Sequence, residues 1–194
     1  MKIFKFLLFN SILILLVFSS CKKEEEQPNP DNLAIGKSWK GGVIAYILKP
    51  EDTGYEADSI HGLIATEEDL ATAQWGCAGK LIYGADGSEI GTGKQNTKEI
   101  FDSCSTVGIA ARICSNLDIN GFNDWFLPSR DELRKLNDNK IAIGGFTDNE
   151  PYAYWSSTEK DKNYAWTYYI SNGYSYEQAT TKESVRKVRA IRAF

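Results

Sequence analysis

Four cysteines and one histidine are the residues of this chain best suited to covalent or metal chemistry. Cys77, Cys104 and Cys114 lie in the body of the chain, and Cys21 lies near its start. A catalytic thiol or a metal site would need a base or a second type of ligand beside these cysteines, and none accompanies them. His61 stands at the start of a predicted strand, and no nucleophile motif such as G-x-S-x-G occurs. We therefore expect no catalytic residue, cofactor or metal, and a structural or exposed role for His61.

The three inner cysteines allow one disulfide, which an exported compartment would favour. On one continuous helix Cys104 and Cys114 would lie about 15 Å apart, too far to bridge. A kink at Gly108 would shorten that distance, but not obviously enough. We favour Cys77–Cys104, worth about 3.5 kcal/mol by loop entropy, with Cys114 buried on a helix. Cys77–Cys114 is the alternative.

A cluster of oxygen-bearing side chains precedes the next helix, at Asp118, Asn120, Asn123 and Asp124. Carboxylate and amide oxygens are calcium ligands, but the spacing does not match an EF-hand loop. Asn120-Gly121 is more simply explained as a turn, and Asp124 as the partner of an arginine or as a cap.

Arg192 shares one face of the predicted closing strand with apolar residues, so its charge should be paired. Asp124, Asp131 and Glu132 are the candidate partners. We interpret Arg192 as one member of an ion pair that holds the fold together.

Tyrosines are concentrated near the end of the chain, where seven of the ten lie between Tyr152 and Tyr176. Strand alternation places Trp166 on a face that we expect to be core. Tyr169, Tyr174 and Tyr176 are expected at or beside a hairpin. Tyrosine offers a flat ring and a hydroxyl, which suit it to stacking on sugars or to anchoring protein contacts. These three residues therefore either fill the sheet surface or form a recognition surface.

The elements that must position these residues follow from periodicity and capping signals. The predicted strands are 43–48, 62–65, 152–157, 164–170, 174–177 and 188–194, with a hairpin turn at Asn172-Gly173. Predicted helices begin near Thr97 after a capping box at Asn96 and Glu99, span 110–117, and follow a second capping box at Ser129 and Glu132. A long glycine-rich stretch from 75 to 93 is expected to be an ordered loop. The pattern predicts an α+β domain whose terminal strands pair, with two or three helices and a small antiparallel sheet.

The start of the chain has the form of an export signal. Lys2 and Lys5 precede a mostly apolar run over 6–18, which is shorter than the ~20 residues of a membrane-spanning helix. Ser19-Ser20-Cys21 resembles the lipobox of bacterial lipoproteins, so lipidation of Cys21 is expected. The predicted organisation is a signal peptide over 1–20, an acylated and disordered tether over 21–35, and one domain over 36–194.

The charges point to the outer membrane and away from nucleic acid. The net charge is −4 and becomes −6 once Lys2 and Lys5 are removed with the signal, so a nucleic-acid partner is not expected. Residues 22–26, KKEEE, resemble the surface-export signal of Bacteroidota lipoproteins. That predicts an outer-membrane protein facing the cell exterior, with a periplasm-facing orientation as the alternative.

Several motifs in order resemble one family. They are GFNDWFLPSRDEL (121–133), YWSSTE (154–159), AW (165–166) and VRAIRAF (188–194), and they include Asp124, Trp125, Pro128, Glu132, Trp155, Trp166 and Arg192 as structural residues. The family is the domain of unknown function typified by the C-terminal domain of Legionella collagen-like adhesins. HGLIATEED, WGCAGKLIYGADGSEIGTGKQNT and GIAARIC are similar to its longer subtype.

The resemblance implies a C-type lectin-like fold and a non-catalytic function. It predicts a lipid-anchored module that binds an extracellular glycan or protein. The alternatives are an accessory subunit of an outer-membrane complex and, less favoured, a relative of formylglycine-generating enzymes, whose pair of active-site cysteines has no match here.

Overall fold

The computed structural model of the chain describes residues 33–147, 153–171 and 173–194. The predicted export signal, the predicted lipidation site Cys21, most of the predicted tether, Tyr152 and Asn172 of the predicted hairpin lie outside the described residues. The predicted domain over 36–194 is described except at residues 148–152 and 172.

Four strands, then four helices and then five strands follow one another along the described chain, and this segregation confirms the α+β class. The strands are β1 (Ser38–Trp39), β2 (Gly42–Ile47), β3 (Gly62–Ala65), β4 (Ala71–Gln74), β5 (Ala153–Glu159), β6 (Tyr164–Tyr169), β7 (Tyr176–Thr181), β8 (Val185–Val188) and β9 (Ile191–Ala193). The helices are α1 (Gly93–Ser103), α2 (Ala110–Ser115), α3 (Arg130–Asp138) and α4 (Lys140–Ile143). Within the described ranges, no helix is long and apolar enough to cross a bilayer.

Strands from both ends of the domain lie in one four-stranded antiparallel sheet, in the order β1-β2-β3-β9. The closing strand β9 pairs with β3, through Leu63 opposite Ala193 and Ala65 opposite Ile191. Strand β9 therefore does not pair directly with β2, because β3 lies between them. The predicted strand over 62–65 is confirmed at both ends.

A second sheet has the order β4-β8-β5-β6-β7 and is antiparallel except where β5 meets β8. The single closing strand predicted over 188–194 is wrong, because the segment divides into β8 in this sheet and β9 in the other. Between them Arg189 turns inward and is fully buried, with hydrogen bonds to backbone oxygens. The strand is interrupted here because the buried guanidinium of Arg189 needs hydrogen-bond partners.

Two hydrophobic clusters form the core. The first includes Trp75, Ile100, Ile109, Cys114, Trp125, Trp155 and Val188 and is flanked by α1 and α2. The second includes Val43, Leu63, Leu133, Leu136, Tyr154, Ile170 and Ile191 and is flanked by α3. Trp155 and Tyr154, neighbours on β5, enter different clusters because successive side chains of a strand point to opposite faces.

Helix α1 begins earlier than predicted. The capping box expected at Asn96 and Glu99 is wrong, because the helix starts at Gly93 after Thr92 and no side chain caps it. Asn96 is buried inside the helix and donates a hydrogen bond to the carbonyl oxygen of Gly87 at 2.7 Å. The amide is therefore committed to a contact with the long loop, which competes with local capping.

Helix α3 follows its prediction. Ser129 accepts a hydrogen bond from the backbone N–H of Glu132, and the Glu132 carboxylate accepts one from the N–H of Ser129. The same carboxylate accepts a hydrogen bond from Gly91 of the long loop at 2.9 Å. One buried glutamate thus starts a helix and fixes the loop that packs on it.

The loop over 75–92 is ordered by contacts at several points, although it contains no helix or strand. The predicted disulfide Cys77–Cys104 is present, with the two Cα atoms 5.9 Å apart, and links the loop to the end of α1. Cys114 is a free, buried thiol on α2, as expected. A buried ion pair between Lys182 and Glu159 holds the middle of the loop, since Glu159 also accepts a hydrogen bond from Ile82.

Candidate functional site

Tyr169, Tyr174 and Tyr176 form a continuous aromatic surface at the end of the β6–β7 hairpin. The rings of Tyr169 and Tyr176 stack with centroids 4.4 Å apart and planes 6° apart. The Tyr174 ring lies 5.4 Å from that of Tyr176. Tyr174 is 74% exposed and Tyr176 is 37% exposed. The three residues named by the sequence are therefore brought together, and we call them the tyrosine surface.

The pairing of two strands puts the stacked rings on one face of the sheet. Tyr169 and Tyr176 are directly opposite in the antiparallel register of β6 and β7. Glu177 forms an ion pair with Arg130 of α3. Since neighbouring side chains of a strand alternate, Tyr176 projects from the face opposite α3.

The turn that carries Tyr174 is tied to the body of the domain. The Ser171 hydroxyl accepts a hydrogen bond from the N–H of Tyr174 at 3.1 Å. Lys140 of α4 donates to the carbonyl oxygen of Ser171 at 2.6 Å and to the Ser175 hydroxyl at 3.1 Å. The exposed ring is therefore presented from a braced turn, which lowers the entropy lost when a ligand packs on it.

The face of β6 that carries Trp166 is not the fully buried one, contrary to prediction. Ala165 and Thr167 are buried, whereas Trp166 is half-buried. The Arg130 guanidinium lies 4.0 Å from the centroid of the Trp166 ring and covers it. Trp166 thus joins α3 to the sheet through a cation–π contact, which alternation by itself does not reveal.

The Tyr176 hydroxyl is a neutral hydrogen-bonding group near neutral pH. Partial desolvation in the stack, with a smaller effect of the neighbouring Tyr169, raises the pKa of Tyr176 above its usual value. The surface therefore combines flat apolar rings with hydroxyl groups that can donate and accept hydrogen bonds. These are the groups that pack on sugar rings and on protein side chains.

A larger concave feature, which the sequence did not predict, lies elsewhere on the domain. It is a cleft of about 660 Å³, lined by Ser38, Trp39, Lys40, Gly41, Gly42, Thr66, Glu67, Glu68, Asp69, Leu70, Ile119 and Asn120. We call it the Trp39 cleft. Its volume falls in the range of small-molecule sites.

Two tight turns contribute residues to the lining of the Trp39 cleft. Lys40 and Gly41 link β1 to β2 with φ values of 43° and 88°, and Asn120 and Gly121 have φ values of 56° and 84°. Both are two-residue turns between paired residues, as in type I′ hairpins. The turn predicted at Asn120-Gly121 is confirmed, whereas that at Lys40-Gly41 was missed because lysine is a poor signal for this conformation.

Residues 66–69, another part of the cleft lining, rest on the buried guanidinium of Arg189. Arg189 donates to the carbonyl oxygens of Thr66 at 2.9 Å and Glu67 at 2.8 Å, and it pairs with Asp69 at 3.4 Å. Tyr154 donates from its hydroxyl to the same aspartate at 2.8 Å. Desolvation lowers the pKa of Arg189, and the negative charge of Asp69 acts against that change. The wall made by residues 66–69 is therefore fixed from beneath.

The other residues of the family motifs contribute to the fold. Arg192 pairs with Asp124 at 2.6 Å and lies over the Phe122 ring, which confirms one of the three candidate partners. Trp125 packs in the core, and Pro128 accepts a backbone hydrogen bond from Ser157.

His61 connects the second predicted strand to the closing strand. Its Nδ1 lies 3.1 Å from the carbonyl oxygen of Phe194, and its Nε2 lies 2.8 Å from the Ser59 hydroxyl. Glu56 accepts a hydrogen bond from the Ser59 hydroxyl at 3.0 Å in this exposed turn. The arrangement holds the turn over 56–61 against the sheet. The hydrogen bond between His61 and Ser59 was not predicted, because two loop residues this close in sequence form no recognisable motif.

The oxygen-bearing residues over 118–124 are used in local contacts. Asp118 accepts a hydrogen bond from the N–H of Gly121, and Asp124 is paired with Arg192. In the part of the chain that the structure describes, no group of three His, Cys, Asp or Glu side chains is placed to hold a metal ion.

Comparisons with known proteins give a family and a fold. The family model described as the Lcl C-terminal domain matches residues 68–192. A search of curated proteins found no match. Among solved structures, a fimbrial protein from Bacteroides ovatus is similar, with a TM-score of 0.52 and 16% identity. The alignment covers 87% of this chain and 45% of that one, so this chain spans less than half of that protein. At this identity the likeness concerns the fold alone.

Proposed function

The chain belongs to the Lcl C-terminal domain family, and we propose that it is a non-catalytic binding domain held at the cell surface. Its ligand would be an extracellular glycan or protein, and its anchor a lipid on Cys21. The observation that carries this proposal is the tyrosine surface, in which three aromatic rings gather at an exposed turn. Exposed aromatic clusters of this kind mark recognition sites on soluble domains.

The chemistry of the cysteines supports a function without catalysis. Cys77 and Cys104 are joined, so neither offers a thiolate. Cys114 is completely buried, and burial raises the pKa of its thiol far above the usual range. Nucleophilic and copper-dependent thiol chemistry requires an accessible thiolate. An enzyme of the formylglycine-generating type is therefore disfavoured by the state of all three inner cysteines.

The binding surface is tested with the mature chain in which Cys21→Ser removes the site of lipidation. Glycan arrays and pull-down from extracellular material identify a ligand, and its affinity is then compared between this protein and the Tyr174→Ala and Tyr176→Ala variants. We expect at least a tenfold loss for each. Tyr83→Ala is the matched control, since Tyr83 is 82% exposed but belongs to the long loop. An equal loss in the control, or no ligand for a folded protein, would contradict the proposal.

The anchor and the orientation are tested in cells. We expect the full chain to fractionate with the outer membrane of a Bacteroidota host and Cys21→Ser to release it. Added protease should digest the domain on intact cells if it faces outward. Protection on intact cells, with digestion after lysis, would instead establish the periplasm-facing alternative.

A further inference from the structure

We infer that the Trp39 cleft is a second binding site, and that its ligand is an oligosaccharide bearing free amino groups. One ammonium group of this ligand lies over the Trp39 ring, where Lys40 now lies, and the carboxylates of Glu67 and Glu68 neutralise it. This site is separate from the tyrosine surface, and the argument for it uses none of the three tyrosines.

Trp39 is a fixed aromatic platform in the cleft. The Phe194 ring meets it edge-on, with centroids 4.8 Å apart and planes 82° apart. The Lys40 ammonium lies 4.7 Å from the centroid of the indole. Because tryptophan is the best aromatic partner for a cation, this contact shows that the ring accepts an ammonium group at the cleft.

The segment 66–69, which also lines the cleft, carries two carboxylates that form no ion pair among the described residues. Asp69 is committed to Arg189, Tyr154 and Thr147. Glu67 and Glu68, in contrast, are exposed, and across the described ranges their carboxylates form no ion pair. Their backbone is held in place from beneath by Arg189. The carboxylates are therefore positioned on a rigid segment and are available to a ligand.

Lys40 behaves as a resident cation that a ligand can replace. It occupies a left-handed position, at φ 43°, where asparagine, aspartate and glycine are preferred. Within the described residues its ammonium makes no ion pair, so it is held only by the Trp39 ring. Lysine is unfavourable at this turn position, and the charge of Lys40 is unpaired. Its presence there is explained if the ammonium occupies the ligand site whenever no ligand is bound.

The remaining lining residues favour a sugar over a peptide. Ser38 and Asn120 offer a hydroxyl and an amide, which pair with the hydroxyl groups of a saccharide. Apart from Trp39, the apolar lining consists of Leu70 and Ile119, which gives little space to bury peptide side chains. An amino sugar presents an ammonium, several hydroxyls and a flat ring face in one unit, and so uses every part of this cleft.

The test uses two oligomers that differ in the N-acetylation of their amino groups, so that one carries positive charges and the other carries none. Titration calorimetry of the mature Cys21→Ser protein compares glucosamine hexamer with N-acetylglucosamine hexamer at pH about 5.5, above the ordinary pKa of glutamate. We expect the amino form to bind at least tenfold more tightly. Trp39→Phe preserves the packing on Phe194 but weakens the cation–π contact, and should weaken binding severalfold. Glu67→Gln with Glu68→Gln should reduce it at least tenfold, and Lys40→Met should strengthen it.

A control separates a specific site from general attraction between a polycation and an acidic protein. Glu51→Gln with Glu183→Gln removes two exposed carboxylates outside the cleft and should leave the affinity unchanged. An equal loss in this control, equal affinity for the two hexamers, or no effect of the cleft variants would overturn the inference. Tighter binding of a trilysine peptide than of the glucosamine hexamer would overturn the assignment to a sugar. Tyr174→Ala should have no effect, so failure here and failure of the tyrosine surface are distinguishable.

Discussion

Lys182 and Glu159 form an ion pair that is removed from solvent, with side-chain exposures of 0% and 3%. The lysine also donates to the carbonyl oxygen of Lys80 at 2.9 Å and lies 4.5 Å from the centroid of the Trp75 ring. The pair therefore joins β5 and the segment after β7 to the long loop.

Removing one member of this pair leaves a buried charge without its partner. We expect Lys182→Met or Glu159→Gln each to lower the free energy of unfolding by about 3–5 kcal/mol, measured by urea denaturation. The double variant should lose less than the sum of the two. Lys98→Met disrupts an exposed pair on α1 and should have no measurable effect. Small losses in both buried variants would mean that water reaches the pair.

The disulfide Cys77–Cys104 should stabilise the fold, and the remaining thiol of Cys114 should be shielded from reagents. Replacing Cys77 and Cys104 together by serine is expected to lower the free energy of unfolding by about 3.5 kcal/mol, because the unfolded chain gains freedom. In the native protein, a thiol reagent should label none of the three inner cysteines, and after unfolding it should label Cys114. Labelling of Cys77 in the native state would show that the bond is absent.

Glu132 should make stability depend on pH near neutrality. Burial, opposed by hydrogen bonds from Ser129, Gly91 and Gly93, raises the pKa of Glu132 to about 7. The folded state therefore holds a proton more tightly than the unfolded state, so this contribution is complete at low pH and is lost as pH rises through about 7. We expect the urea midpoint to fall between pH about 5 and about 8.

The matched variant for that measurement is Glu132→Gln, which cannot ionise. Its baseline stability will differ, but its midpoint should lose most of the pH slope. His61 is present in both proteins, so any contribution from it cancels in the comparison. A slope that is unchanged in the variant would exclude Glu132 as its source.

The two turns beside the Trp39 cleft provide a reciprocal test of backbone strain. Lys40→Asn places a residue that tolerates the left-handed region where lysine now stands, and should raise stability by about 1 kcal/mol. Asn120→Lys makes the reverse change at φ 56° and should lower stability by a similar amount. Thermal unfolding measures both. The same sign for the two variants would mean that side-chain contacts outweigh the turn.

Local sequence signals correctly predicted those elements whose structure depends mainly on their own residues. The capping box at Ser129 and Glu132 predicted the start of α3, and the apolar run from Gly62 predicted β3. The tyrosine surface was also foreseeable, because Tyr169 and Tyr174 flank a turn signal. Asn96 misled the prediction, since its side chain serves a contact with the loop at Gly87, nine residues away.

The Trp39 cleft could not be predicted, because its walls come from three separate parts of the chain. Residues 38–42, 66–70 and 119–120 are distant in sequence and come together only in the folded domain. The decisive link is Arg189, whose bonds to Thr66 and Glu67 span more than 120 positions. Nothing in the local pattern around Arg189 distinguishes it from Arg186 or Arg192.

The long loop owes its order to a few buried attachments, namely the disulfide, the Lys182–Glu159 pair and the Glu132 carboxylate. The loop side chains that face solvent contribute little to that order. Among them, Tyr83 is 82% exposed and Leu81 is 43% exposed. Substitutions there should be tolerated while the attachments are retained. The outward positions of the loop can therefore change while its attachments hold the frame, so that the surface of the domain can be altered without altering its fold.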